Sequence, residues 1–175
     1  MPVELRAARH RAPVDLRRLR GRAEFLLERV GRGEQVLSIL LTDDREMAAL
    51  HERWTGEEGP TDVLSFPMEE QGILGDIVIS TETAVRQARD RARAPAGRRV
   101  GDGSAGSAAA RAAGRADREI LRCLVHGILH LTGHDHRTRA QKACMDRLAR
   151  RLLAEALLCE GRAMTCELYR PPRAA

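Results

Sequence analysis

The spacing of apolar residues predicts alternating helices and strands in the first part of the chain. From Val14 to Val30 apolar residues recur every three or four positions, which predicts an amphipathic helix. The short apolar stretch from Gln35 to Thr42 is typical of a strand. Asp43 and Asp44 follow it as candidate caps of a second helix that runs to Trp54.

The same pattern continues towards the middle of the chain. Asp62 to Phe66 alternates in polarity and is followed by Pro67, which favours a strand near the edge of a sheet. Ile73 to Ser80 predicts another strand, and a helix is expected to open at Thr81. Strands and helices that alternate in this way indicate an α/β or α+β domain.

The last part of the chain divides into an apolar-poor stretch and two helices. Ala94 to Arg115 consists of Ala, Gly, Arg and Ser with almost no large apolar side chain, which predicts a flexible insertion. A helix is then expected from about Arg118 to Leu131, ended by Gly133. A long amphipathic helix from about Thr138 to Glu160 completes the domain.

Composition adds a basic charge that is dominated by arginine. The 175 residues carry a net charge of +5, and Lys142 is the single lysine. A basic protein suits a polyanionic partner, but arginine together with abundant alanine also fits a GC-rich genome, so charge alone supports nucleic-acid binding weakly. At this length we expect one domain over residues 1–175.

Apolar runs and cysteines indicate the cellular compartment. No apolar run approaches the roughly 18 residues of a membrane span, and the N-terminus lacks the apolar segment of a signal peptide. We therefore expect a soluble, cytoplasmic protein with no membrane partner. The cysteines form no C-x-x-C pair and mostly fall in helical patterns, so we expect reduced core thiols at Cys123, Cys144, Cys159 and Cys166.

Four of the six histidines lie within the segment HGILHLTGHDH, from His126 to His136. Four residues of helix turn through about 400°, so His126 and His130 project from one face a single turn apart, as two ligands of one metal ion do. Gly133 allows the chain to turn back and bring His136 to the same ion. The pattern predicts one zinc ion per chain, bound by His126, His130 and His136, with an open position for water.

Other interpretations of these residues are open. The first two histidines could be hydrogen-bonded core residues, with His134 and His136 on a solvated loop. A straight helix would present His134 as the third ligand, although His134 is better suited to a loop or to facing a substrate. Cys123, one turn before His126, could also bind a metal, but a buried inert thiol is the simpler interpretation.

The residue after the first histidine restricts the chemistry. In H-E-x-x-H zinc peptidases a glutamate at that position is the general base, and here the residue is Gly127. A peptidase would therefore lack its base, although the H-x-x-x-H-x-x-x-x-x-H ligand spacing equals that of the metzincins.

Three ordered motifs resemble those of the YbeY family of bacterial endoribonucleases. They are PTDVLSFP at Pro60 to Pro67, LGDIVIS at Leu74 to Ser80, and the histidine segment, which resembles the family signature H-G-x-L-H-L-x-G-[YH]-D-H. The resemblance spans about Val36 to Leu158, and the insertion at Ala94 to Arg115 is longer than the family usually carries.

The resemblance implies a zinc-dependent, single-strand-specific endoribonuclease that matures the 3′ end of 16S rRNA and acts in ribosome quality control. It also implies an α/β fold with a mixed sheet of about four strands flanked by helices and the zinc-binding helix at the cleft. The implied partners are single-stranded RNA, the rRNA of the small ribosomal subunit and its assembly factors.

One departure from the family concerns catalysis. Members often carry an Asn, and then an aromatic residue followed by an Arg that helps to bind the scissile phosphate, where this chain has His51, Trp54 and Thr55. Arg53 or an arginine of the insertion could replace it, or the chain could be less active. The candidate catalytic residues are thus Thr55 at the family's arginine position, Arg53, and Asp135, which could orient an imidazole or a water, or simply cap the turn at Gly133.

The sequence leaves open the roles of two further residues and allows two alternative functions. Asp62 and Ser65 could line the cleft or serve only strand pairing. The chain could instead be a non-catalytic, metal-stabilised ribosome assembly factor, or a zinc hydrolase of another class, of which a peptidase is disfavoured by Gly127.

Overall fold

The computed structural model describes residues 3–8, 14–68, 70–93 and 107–158. These residues form four strands and five helices. In chain order the elements are β1 (Val3–Ala7), α1 (Leu16–Arg29), β2 (Val36–Thr42), α2 (Asp44–Thr55), β3 (Val63–Pro67), β4 (Ile73–Ser80), α3 (Thr81–Arg93), α4 (Ala108–Leu131) and α5 (Arg139–Leu158).

The strands form one mixed sheet in the order β1-β2-β4-β3. β1, β2 and β4 are parallel, and β3 joins β4 in the antiparallel direction. The α+β class, the four-stranded mixed sheet and the edge position predicted for the strand before Pro67 are confirmed. Among the described helices, none is long and apolar enough to cross a membrane.

Helix α4 is the central element of the packing. It contacts α3, α5 and the strands β3 and β4, and its buried side chains include Ile120, Leu124 and Ile128. Fully buried leucines of α1, Leu19, Leu26 and Leu27, belong to the same core cluster. From Ala116 onwards most positions of α4 are buried, whereas His126 and His130 are only half-buried and can carry chemistry.

Polar contacts also hold the helices in position. The buried Arg22 on α1 donates from Nη1 to the Oδ2 of Asp117 on α4 at 2.8 Å, and Arg18 lies 3.2 Å from the other oxygen. As predicted, Asp43 caps α2, since its Oδ1 accepts from the amide of Glu46. Asp44 instead ties α2 to the junction of β4 and α3, because its Oδ1 accepts from the hydroxyl groups of Ser80, the last residue of β4, and of Thr83 in the first turn of α3.

Several boundaries differ from the sequence prediction. No strand was predicted for Val3–Ala7, and α4 begins at Ala108, about ten residues before the predicted start. The predicted flexible insertion is therefore wrong for residues 108–115, which are helical, while residues 94–106 lie outside the described part of the chain. Ser107 caps this longer helix by accepting from the amide of Ala110.

The cysteine prediction holds at one position and fails at another. Cys123 is buried as expected, but Cys144 is exposed on α5. Position 144 faces away from the core because its neighbour Met145 occupies the buried side of that turn. Cys159 and Cys166 lie outside the described residues.

Candidate metal centre

The end of α4 determines where the histidine segment turns. Gly133 has a φ of 86°, in the left-handed region that glycine adopts easily. Its amide donates to the carbonyl of His130, and the amide of His134 donates to the carbonyl of Leu129. This pair of bonds is a Schellman motif, which satisfies the last carbonyls of the helix and reverses the chain.

The turn brings three imidazoles together. His126 and His130 lie one turn apart on α4 with their Nε2 atoms 3.1 Å apart, and His136 returns from the loop after α4. One ring nitrogen from each of the three lies within 4.8 Å of the others. This is the only such cluster that could hold a metal ion among the described residues, and it contains neither His134 nor Cys123.

The protonation of the cluster favours metal binding. Burial lowers the pKa of His126 below its usual 6.5, and the neighbouring His130 and His136 lower it further. Burial likewise lowers the pKa of His130, again with a contribution from His136. Imidazoles that stay neutral near pH 7 keep their lone pairs available to a cation. In contrast, burial raises the pKa of the Cys123 thiol, which therefore stays protonated.

Gly127 allows α4 to lie directly on the sheet. A Cβ atom at this position would meet the Cδ1 of Ile77 on β4 at 2.8 Å and its Cγ1 and Cγ2 at 3.1 Å. Real side chains essentially never approach so closely, so glycine gives α4 its close contact with β4. A glutamate here would face the packed sheet, and this position therefore supplies no general base.

The loop after the turn is held by Asp135. Its Oδ1 accepts from the amide of His136 at 2.7 Å, and its Oδ2 lies 2.7 Å from the Nε of Arg137. The negative charge of Asp135 opposes the lowering of the pKa of His130. Asp135 thus positions the backbone of His136, whereas His134 is a half-buried loop residue.

The predicted arginine position lies at the end of α2. The Thr55 hydroxyl donates to the carbonyl of His51 and accepts from the amide of Glu57, so it is engaged in ending the helix. Arg53 is exposed, with its guanidinium carbon 5.9 Å from the centre of the Trp54 ring. Trp54 itself is 62 % exposed. A cation is available at this helix end, but Thr55 does not provide it.

Asp62 directly precedes β3 and Ser65 lies within it; the sequence left open whether both line the cleft. Asp62 is close enough to His126 that its charge opposes the fall in the histidine's pKa. Its Oδ2 accepts from the side-chain amide of Gln87 at 3.2 Å. Ser65 is half-buried opposite Ile77, the residue that packs on Gly127.

A pocket beside His126 was not predicted from the sequence. It has a volume of about 320 Å³ and lies between α4 and α5. The lining side chains of α4 are Arg122, Val125 and His126, and those of α5 are Asp146, Ala149, Arg150 and Leu153. The only feature of the sequence that points to this pocket is the position of Arg122, one helical turn before His126.

The chain is similar to known endoribonucleases over most of its length. The family model "Endoribonuclease YbeY" matches residues 6–99 and 103–156. Endoribonuclease YbeY of Anaeromyxobacter sp. (strain Fw109-5) is 40% identical over 151 residues, which cover 84% of this chain and 68% of that protein. Endoribonuclease YbeY of Cutibacterium acnes is 39% identical over 146 residues, 77% of this chain and 81% of that protein.

A solved structure supports the fold. The solution structure of TM1509 from Thermotoga maritima matches with a TM-score of 0.56 at 23% sequence identity, covering 98% of this chain and 100% of the other. At that identity the likeness concerns the fold alone. The match of the family model to most of the chain, together with relatives of about 40% identity, shows that the protein belongs to the YbeY endoribonuclease family.

Proposed function

We propose that the protein is a zinc-dependent, single-strand-specific endoribonuclease that matures the 3′ end of 16S rRNA and takes part in ribosome quality control. In this proposal it acts in the cytoplasm as a single domain over residues 1–175, on the small ribosomal subunit and with its assembly factors. Family membership supports RNA cleavage. The observation that supports metal dependence is the convergence of His126, His130 and His136 on one point.

The three histidines fit a zinc ion. Zinc–nitrogen bonds of about 2.0–2.1 Å in a tetrahedron place ligand nitrogens roughly 3.3 Å apart. The Nε2 atoms of His126 and His130 are 3.1 Å apart, and the whole set lies within 4.8 Å, so small ring rotations would complete the geometry. Three neutral ligands leave the fourth position of the ion open, as in catalytic zinc sites.

A zinc ion in this position would supply a water of lowered pKa and a positive charge for a phosphoryl oxygen. The protein's own residues prepare the site for it. Burial keeps His126 and His130 unprotonated, the turn at Gly133 directs His136 towards them, and Asp135 holds the amide of His136. Further charge that develops on the phosphate needs a cation. The arginine nearest in sequence to the family's arginine position is Arg53, on the exposed end of α2.

The test combines metal content with RNA cleavage. We expect elemental analysis to give about one zinc per chain, and the protein to cut single-stranded RNA but not casein. His130→Ala should lose both zinc and cleavage, whereas the matched control His134→Ala should keep its zinc. Undiminished zinc in His136→Ala together with zinc loss in His134→Ala would contradict the ligand set.

The ribosomal role needs its own experiment. Small subunits that contain 3′-extended 16S rRNA should be shortened at the 3′ end by the zinc-loaded protein and left intact by His130→Ala. Mapping of RNA ends gives the result directly. Cleavage of free single-stranded RNA without any change in these subunits would restrict the proposal to a ribonuclease of another RNA.

Thr55 favours a second candidate, a non-catalytic metal-stabilised assembly factor. Its hydroxyl is engaged at the end of α2 and carries no charge for a phosphate. This candidate predicts that the zinc-loaded protein binds small subunits but never cuts RNA in preparations whose nuclease-free control stays clean. Loss of cleavage in Arg53→Ala with zinc retained would instead assign the missing charge to Arg53.

A further inference from the structure

The pocket between α4 and α5 shares a wall with the candidate metal centre. Arg122, His126 and His130 are spaced four residues apart, so they lie along one stripe of α4. His126 belongs to both the histidine cluster and the pocket lining. Whatever occupies the pocket therefore lies next to the position at which a phosphodiester would be cut.

Two guanidinium groups line this pocket. Arg150 on α5 is exposed, and its Nε donates to the backbone carbonyl of Asp146 at 3.1 Å. Among the described residues it forms no salt bridge within 4.0 Å. Arg122 on α4 keeps 44 % of its side chain exposed, with its Nε 3.5 Å from Glu119. Guanidinium groups form charge-assisted, often paired hydrogen bonds to phosphate oxygens, so both arginines are suited to an RNA backbone.

The rest of the lining is not suited to a free anion. The half-buried Ala149 and Leu153 provide an apolar surface next to the almost fully buried Val125, and Asp146, whose carboxylate lies 3.8 Å from Lys142, also lines the pocket. A carboxylate repels an isolated phosphate but accepts hydrogen bonds from the amino group of a nucleobase. An apolar surface beside a guanidinium group is also the environment in which an unstacked base packs.

The volume limits the occupant further. About 320 Å³ is at the lower end of ligand pockets, which span roughly 300–1,000 Å³. A pocket of this size suits one nucleotide unit and is too small to enclose a base pair. It therefore favours an unpaired base, as in single-stranded RNA.

From these observations we infer that the α4–α5 pocket binds one unpaired nucleotide of the RNA substrate, next to the scissile phosphate. Its base packs on Ala149 and Leu153, and its phosphate meets Arg122 and Arg150. This inference rests on the proposed ribonuclease function and names where that function binds its substrate. The pocket residues act in binding and positioning, since none of the two arginines and two apolar residues belongs to the histidine cluster.

The test measures RNA binding separately from cleavage. The full-length protein is titrated with a fluorescent ten-nucleotide single-stranded RNA in EDTA, which prevents turnover, and Kd is read from anisotropy. Arg150→Ala should raise Kd about tenfold, as expected for the loss of a charge-assisted contact. The matched control is Arg147→Ala, which removes the same charge from an exposed position three residues earlier and should change Kd by less than about twofold.

A second pair of variants tests the pocket without changing charge. Ala149→Leu fills the pocket and should weaken RNA binding severalfold, while Ala154→Leu, at an exposed position of the same helix, should not. With zinc restored, Arg150→Ala should keep its metal content and raise KM more than it lowers kcat.

The outcomes separate this inference from the proposed function. If both pocket variants bind RNA as well as their controls while the unmodified protein cuts RNA, the pocket is not a nucleotide site and the inference is wrong. If the variants show that RNA binds through the pocket but the zinc-loaded protein never cuts RNA, the proposed activity fails and the binding site stands.

Discussion

Replacement of Gly127 by alanine should reveal how closely α4 lies on the sheet. The added methyl group would meet Ile77 at 2.8–3.1 Å, so Ile77 or the helix must move. Overpacking of this kind costs about 1–3 kcal/mol, whereas alanine in place of glycine inside a helix gains about 1 kcal/mol. The expected net effect on the free energy of unfolding is a loss of roughly 0–2 kcal/mol.

Gly114 on the same helix provides the matched control. A Cβ there meets nothing within 4 Å, so Gly114→Ala should show the helix gain alone, about 1 kcal/mol at most. Denaturant unfolding of the two zinc-free variants should therefore differ by about 1–3 kcal/mol, which corresponds to roughly 2–10 °C in Tm. Equal stabilisation by both substitutions would refute the close contact between α4 and β4.

A rescue experiment assigns the effect to Ile77. Ile77→Val removes the Cδ1 atom that lies nearest to the new methyl group, and alone it should cost about 0.5–1.5 kcal/mol. In the Gly127→Ala background the same change should cost clearly less, because it also relieves the overlap. Additive effects in this double-mutant cycle would mean that Gly127→Ala acts elsewhere.

Three further outcomes follow from the described contacts. Thr55→Arg should raise the rate of single-turnover RNA cleavage about tenfold if no neighbour already supplies the cation, which corresponds to ~1.4 kcal/mol of transition-state stabilisation. An unchanged rate in this variant means that the charge comes from elsewhere. Folding lowers the pKa of His126 and His130, so below pH 6.5 the unfolded chain binds more protons than the folded chain does. The zinc-free protein should therefore lose stability as the pH falls below 6.5. Urea unfolding of a His126→Gln/His130→Gln variant should show a flatter pH dependence. Asp117→Asn removes the charged acceptor that the buried Arg22 contacts and should destabilise the protein by about 1.5–3 kcal/mol in the same assay.

The sequence predicted those elements whose signals are local. The strand before Pro67, the helix cap at Asp43 and the helix end at Gly133 each depend on residues within a few positions, and all three are found in the structure. β1 escaped prediction because a five-residue strand at the N-terminus has only Val3 and Leu5 as apolar signals. It is held by parallel pairing with β2, more than thirty residues away in the sequence.

The start of α4 was predicted incorrectly for a different reason. Residues 108–115 were expected to be flexible because they bury almost no apolar surface, and most of them are indeed exposed. Alanine, however, has the highest intrinsic helix propensity, and elongation of an existing helix is far easier than nucleation. The buried half of α4 therefore extends backwards through the alanines to the cap at Ser107, without any core of its own.

The candidate site combines residues that are close together in the sequence with residues that are far apart in it. The three histidines lie within eleven residues of one helix and turn, which is why their spacing predicted a common point. Arg150 reaches the neighbouring pocket from α5, and no sequence pattern links it to the histidines. Asp62, which the sequence offered as a residue of the cleft, approaches His126 from the position just before β3. The proposed metal site thus depends on one short segment, whereas the proposed contact with substrate depends on the packing of separate elements around it. Substitutions of the α5 residues that line the pocket, such as Arg150→Ala, should therefore change RNA affinity with zinc content constant, while no substitution on α5 should restore zinc binding to a chain that lacks His130.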